Sequence, residues 1–180
     1  MSDTVTVYIE IERDSNVKYE FDKVHQKLMV DRILPYPYYY PYAYGFIPNT
    51  LAMDNDELDI LVITDKILEK NTYHNAVIVG VLVMEDEKGM DEKVLCVLEE
   101  DSCRGCNGAT AKQCVVTDTE SGALAYDSKI TDITELSKDT LYNIHWFFSN
   151  YKNKTENRWS NVIGFENKEF AVELYNKSLV

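Results

Sequence analysis

Positive charge is what this chain has least of. Lys and Arg number 18 against 31 Asp and Glu in 180 residues, a net charge of −13. That deficit excludes the usual route to nucleic acid, in which clustered Lys and Arg neutralise phosphates. It disfavours docking on anionic membranes for the same reason. An anionic small molecule remains admissible if metal ions or local basic groups reverse the field. Long apolar runs are also missing. The longest, Ala76 to Met84, is too short to cross a bilayer. No secretory leader is read in the polar Met1-Ser2-Asp3-Thr4 start, which runs straight into an alternating strand. A cytoplasmic location is therefore expected, with the four cysteines reduced. The three histidines, His25, His74 and His145, stand isolated, and none is assigned chemistry.

What is present suits a folded domain. Apolar content is 45% and aromatic content 12%, enough for a proper core, and residues 1–180 read as a single domain. Val5 to Glu12 alternates strictly. Val5, Val7, Ile9 and Ile11 should face one way, with Tyr8, Glu10 and Glu12 opposite. Lys18 to Asp22 alternates again, so Lys18, Glu20 and Asp22 point together. Leu28 to Arg32, Ile60 to Ile63, Val77 to Met84 and Lys93 to Leu98 read as further strands. The run 77–84 is apolar throughout, as expected of a strand buried on both faces. Tyr36 to Pro48 is rich in Tyr and Pro and reads as extended and irregular. Helices come last. Asp139 to Tyr151 carries Leu141, Ile144, Phe148 and Tyr151 at helical spacing behind Ser137 as cap. Asn167 to Lys177 makes a second helix, with Phe170 and Leu174 four apart. Strands first and helices last predict a mainly β, α+β fold: a small barrel with helices outside it.

The most informative segment is Asp54-Asn55-Asp56-Glu57-Leu58-Asp59, three aspartates within six positions. Two carboxylates about 4 Å apart at an effective dielectric near 20 repel by roughly 4 kcal/mol. Such a cluster either splays into water or holds cations. Hard oxygen donors without a nearby His or Cys suit Mg²⁺, Mn²⁺ or Ca²⁺ rather than zinc. A second acidic group, Asp86-Glu87-Lys88-Gly89-Met90-Asp91-Glu92-Lys93, follows the buried strand, and Gly89 permits a turn that brings Asp86 and Asp91 together. Alone, each group reads as an ordinary polar turn.

Their order is more specific. Glu10, Lys18-Tyr19-Glu20, Val30-Asp31-Arg32, Tyr44-Gly45-Phe46, the triple-aspartate run, Asp86 to Lys93 and Tyr151-Lys152 follow one another along the chain. This series closely resembles the soluble family I inorganic pyrophosphatases of the short prokaryotic type, whose signature is D-x-D-x-x-D, over roughly Val5 to Phe165. The resemblance implies a five-stranded closed OB-type β-barrel with flanking helices. It implies hydrolysis of pyrophosphate to two phosphates with several Mg²⁺ ions, for which Mn²⁺ or Zn²⁺ can substitute, and a homohexamer. It also implies roles. Asp54, Asp59 and Asp91 would hold the metal pair that activates water, with Asp59 bridging. Asp56 would orient that water or take its proton. Asp86 with Asp91 would hold a further Mg²⁺, and Glu10 would lie near a metal on the leaving-phosphate side. Glu20 would complete the acidic wall. Lys18, Arg32 and Lys152 would grip phosphate oxygens, Tyr44 and Tyr151 would add hydroxyl contacts, and Lys93 would neutralise the aspartates.

Two departures stand out. Glu57 occupies the place of a common proline in the signature, and an insertion at about 99–126 replaces a short connection. The insertion carries Cys103, Cys106 and Cys114, with Cys96 upstream. These thiols are candidate ligands of a structural zinc, a redox pair, or incidental. Rival functions fit less well. A haloacid-dehalogenase-type phosphatase would want Asp54-x-Asp56 after an N-terminal strand. A Ca²⁺-binding EF-hand loop would need Gly where Asp59 stands.

Overall fold

Along β1 (Thr4–Ile11) burial alternates as far as Val7, and from Tyr8 onward both faces are covered. Val5, Val7 and Ile9 are buried in one apolar cluster. A bulge between Ile9 and Ile11 then turns Ile11 into a second cluster, so the four do not share one face as expected. The computed structural model describes residues 3–101, 115–116, 125–126, 130–152 and 158–180.

β2 (Val17–Asp22) and β3 (Lys27–Ile33) form a separate two-stranded hairpin in which Lys18 pairs with Arg32. The chain then returns to β1 as β4 (Ala43–Ile47). This strand lies inside the stretch read as irregular. Its Tyr-rich surroundings hid a short buried element that depends on Gly45. A Cβ there would stand 1.8 Å from the carbonyl oxygen of Tyr8, so only glycine lets β4 approach β1.

β5 (Leu58–Val62), β6 (Thr72–Asp86), the two-residue β7 (Gly89–Met90) and β8 (Lys93–Leu98) complete the main sheet. β1 pairs with β4, β4 with β5, β5 with β8, β8 with β6, and β6 with β1. Those five pairings close a ring, all antiparallel except β5–β8. The ring agrees with the five-stranded barrel implied by the resemblance. Closure works because β6 is long: its first half pairs with β1 and its middle with β8.

Alternate residues separate two cores. Ile60, Val62, Val94 and Cys96 join residues from all five strands in one cluster, while Leu61, Ile63, Leu95 and Val97 belong to the other. Ala76 to Leu82 is buried without a break, as an apolar strand between two cores should be. Short strands β9 (Val115–Val116) and β10 (Ala125–Tyr126) pair with each other within the segment read as an insertion. β11 (Ser160–Glu166) adds antiparallel to the far end of β6. Its polar Asn161 and the bulge between Val162 and Gly164 weakened its sequence signal.

Helix α1 (Lys138–Asn150) begins at Ser137, whose Oγ accepts the Thr140 N–H at 3.0 Å. Ile144, Phe147 and Phe148 bury themselves in the second cluster, and Tyr151 caps the helix end in the same core. Helix α2 (Lys168–Ser178) is capped by Asn167. Its inward contact is Ala171 with Leu174 and Tyr175, whereas Phe170 is 43% exposed. The small Ala171 lets the helix sit close to the barrel, which the Phe170–Leu174 spacing did not reveal. Among the described residues no helix is long and apolar enough to cross a membrane.

Candidate active site

One cavity of about 330 Å³ opens where β1, the β2–β3 hairpin, the β4–β5 loop, the β6–β8 turn and the end of α1 meet. Its wall holds Glu10, Lys18, Glu20, Arg32, Tyr44, Asp54, Asp56, Asp59, Asp86, Asp91, Lys93, Tyr151 and Lys152. These are the thirteen polar positions selected from the sequence. They come from segments as far apart as residues 10 and 152.

Strand pairing places the centre. Asp59 opposes Lys93 in the parallel β5–β8 register and Phe46 in the β4–β5 register. Lys93 Nζ donates to Asp59 Oδ2 at 2.5 Å and to Asp91. The Lys93 side chain is only 2% exposed. Burial works against its ammonium, but Asp59 and Asp91 raise its pKa overall. Burial pushes the Asp59 carboxyl up, and Asp91 adds to this, while Lys93 and the Tyr44 hydroxyl pull it back. Glu10 sits beside this group and accepts the Phe21 N–H at 2.8 Å. Burial, and then the charge of Asp59, push its pKa up to about 8. Too many carboxylates therefore face one another here for the positive charge present.

The β4–β5 loop is shaped by its own side chains. Thr50 Oγ1 donates to the Ile47 carbonyl and accepts the Leu58 N–H, tying the loop's two ends. Asp54 Oδ1 accepts the Asp56 N–H at 3.1 Å, and Asn55 takes a positive φ of 67°. Asp56 and Glu57 both pair with Lys23 on the hairpin, at 2.9 and 2.6 Å. Burial raises the Asp56 carboxyl, but the Glu57 and Lys23 contacts leave it lowered on balance. Asp54, Asp59 and Asp91 are not drawn to one point. Lys93 stands between the last two, and Asp54 turns onto its own loop. Among the described residues no three carboxylate, His or Cys groups are already gathered as a metal cage. The donor set nevertheless fits a hard divalent cation: the ligands are all carboxylate oxygens, crowded, and short of counter-charge.

Basic groups are interleaved with the acids. Lys18 pairs with Glu20 at 2.6 Å and Asp31 at 3.5 Å, and Arg32 with Asp31 at 3.2 Å, all on the hairpin. Lys152 donates to Asp86 and approaches Glu87 at 3.3 Å. Burial opposes the Asp86 charge, but the Lys152 hydrogen bond keeps its pKa lowered. Tyr44 and Tyr151 are buried, and burial followed by the nearby aspartates holds both phenols well above their usual pKa. They are hydroxyl donors at neutral pH.

The cavity also holds residues to which the sequence reading gave no role. Asp31, Glu87 and Arg158 line it. Asp31 and Glu87 adjoin Arg32 and Asp86, positions already singled out, and hold the cavity's basic groups in place. Glu57, marked only as a departure, anchors Lys23. Of the four cysteines, Cys96 lies fully buried in the first apolar cluster, where burial raises its thiol pKa. That favours neutral thiol over the thiolate a zinc ion needs. Cys103, Cys106 and Cys114 lie outside the described residues.

A closed five-stranded ring bearing a cavity of interleaved carboxylates and basic side chains defines a protein of the OB-barrel class with a strongly charged site. Comparison with known proteins narrows the class. The inorganic pyrophosphatase family model matches residues 7–116 and 107–180. An inorganic pyrophosphatase of Helicobacter pylori strain J99 is 41% identical over 178 residues, covering 99% of this chain and 91% of its own. One from Nanoarchaeum equitans is 37% identical over 176 residues, covering 97% and 94%. The solved Helicobacter pylori enzyme superposes with a TM-score of 0.81 at 41% identity over 98% of this chain and 92% of its own. That of Thermus thermophilus gives 0.80 at 32% identity over 98% and 90%. The chain belongs to the inorganic pyrophosphatase family.

Proposed function

We propose that this chain hydrolyses pyrophosphate to two phosphates in a Mg²⁺-dependent reaction, by direct attack of water and without a covalent intermediate. The supporting observation is that all thirteen residues chosen from the sequence line one cavity. Asp54, Asp59 and Asp91 would hold divalent cations, Asp86 with Asp91 would hold a further one, and Glu10 would lie near a cation on the leaving-phosphate side. Such cations supply charge neutralisation between two polyanions and acidify water. Asp56 orients the attacking water and takes its proton as the oxygen bonds to phosphorus and the bridging P–O bond breaks. Arg32 grips two oxygens of one phosphate, and Lys18 and Lys152 act as point charges. The Tyr44 and Tyr151 hydroxyls donate to oxygens that gain charge as the bridge breaks. Lys93 keeps Asp59 and Asp91 from repelling each other, and Glu20 holds Lys18 in place. The same resemblance supports a cytoplasmic homohexamer, with residues 99–126 as an insertion in a single domain.

Phosphate release with Mg²⁺ is the direct test. It is expected to be fast from pyrophosphate and weak from an aryl phosphate. Rapid aryl-phosphate turnover through a trapped aspartyl phosphate would replace this reading with the phosphatase alternative. Arg32→Ala probes the substrate side. Loss of a charge-assisted pair of contacts, about 2 kcal/mol, is expected to raise KM for pyrophosphate tenfold or more. Mg²⁺ affinity measured without substrate should stay unchanged. A loss confined to metal affinity would contradict the role given to Arg32.

A further inference from the structure

One ammonium group ties the triple-aspartate loop to the β2–β3 hairpin. Lys23 Nζ lies 2.9 Å from Asp56 Oδ1 and 2.6 Å from Glu57 Oε2. Lys23 directly follows Asp22, the last residue of β2, in a turn with its own constraints. Asp22 Oδ1 accepts the Val24 and His25 N–H groups at 2.9 and 3.0 Å, and Gln26 takes a φ of 53°. On the other side, Asp56 Oδ1 also accepts the Glu57 N–H at 3.1 Å. Lys23 and that amide thus converge on the same oxygen of Asp56. Both donors favour the same rotation of the carboxylate, and Oδ2 accepts from neither.

This contact is poorly explained as a stabilising one. The Lys23 side chain is 54% exposed and that of Asp56 69%, and such pairs add at most about 1 kcal/mol to folding. What the contact does is join two segments of the cavity wall that share no strand pairing. Without Lys23 the Asp56 carboxylate has only its own loop to orient it, on a turn that is itself exposed.

We propose that Lys23 is a positioning residue for the hydrolysis. From the hairpin turn it holds the Asp56 carboxylate in one orientation, with Glu57 as its second anchor. It touches no substrate and acts only through Asp56. The inference rests on the role given above to Asp56.

Steady-state kinetics on pyrophosphate at saturating Mg²⁺ test it, using Lys23→Met, Lys23→Arg, Asp56→Asn and the Lys23→Met/Asp56→Asn pair. Lys23→Met is expected to lower kcat about tenfold, the scale of a modest misplacement at a reacting centre, with KM changed less than about twofold. Lys23→Arg, which can still reach both carboxylates, should restore most of the loss. In the Asp56→Asn background, Lys23→Met should cost nothing more. An unchanged kcat in Lys23→Met, beside a loss in Asp56→Asn, would overturn this inference alone. So would an equal Lys23→Met loss in both backgrounds. Full turnover by Asp56→Asn would overturn the role of Asp56 and this inference with it.

Discussion

Asp59→Asn is expected to leave the fold intact and abolish nearly all turnover of pyrophosphate. The amide has almost the shape of the carboxylate, so the β5 pairings with Lys93 and Phe46 survive. Lys93 keeps Asp91 as a partner. The lost charge was already disfavoured by burial and by Asp91, so removing it costs little in stability. Function is another matter. Asp59 is the carboxylate at the centre of the acidic wall, bonded to Lys93 and adjacent to Glu10. It is the group proposed to bridge two cations, and a neutral amide is a far weaker ligand. A loss on the order of 10³-fold in kcat, about 4 kcal/mol of barrier, is expected. Phosphate release at saturating Mg²⁺, beside a thermal melt of the same preparation, measures both halves. Turnover within tenfold of the parent enzyme would remove Asp59 from the centre of the mechanism.

Gly45→Ala is expected to be the most destabilising single methyl group that can be added to the barrel. The new Cβ would meet the Tyr8 carbonyl oxygen at 1.8 Å, its carbon at 2.9 Å and the Ile9 Cα at 3.1 Å. All three are backbone atoms in the partner strand, which cannot rotate away as a side chain would. Relief requires β1 and β4 to part where Ile9 faces Gly45. Overpacking of a closed core costs about 1–3 kcal/mol when side chains yield, and a backbone clash belongs at or above the upper end. For a chain of this size, about 3 kcal/mol lowers the thermal midpoint by roughly 6–12 °C. The damage should also reach the cavity. Tyr44 precedes Gly45, and its ring centroid lies 6.0 Å from Lys93 Nζ. Folded Gly45→Ala protein is therefore expected to turn over more slowly than its parent. An unchanged melting point would mean that the β1–β4 approach is looser than described.

The strands with alternation or a compact apolar run were legible. β1 and β2, read from alternation, and β3, β5 and β8, read as further strands, lie within a residue or two of their predicted ends. β6 was under-read, as Val77 to Met84 instead of Thr72–Asp86, because its polar first residues face a partner only after the ring closes. β4 was missed because aromatic and proline content near it signals irregular chain, and only the close pairing with β1 makes it a strand. The inward face of α2 was not read, because a phenylalanine carries more apolar weight than the alanine beside it. Proximity to the barrel, not hydrophobicity, chose Ala171.

The site divides along the same line. The ordered series of polar residues, through its resemblance to the pyrophosphatases, was enough to name thirteen cavity residues, because residue type and order are properties of the chain itself. Which groups touch was decided by the fold. Lys93 between Asp59 and Asp91, Lys152 on Asp86, and Lys23 across to Asp56 and Glu57 all depend on strand register or on two turns meeting in space. Such pairings join residues up to 66 positions apart. No local pattern encodes the distant ones, since they exist only once the ring has closed and brought the two turns together.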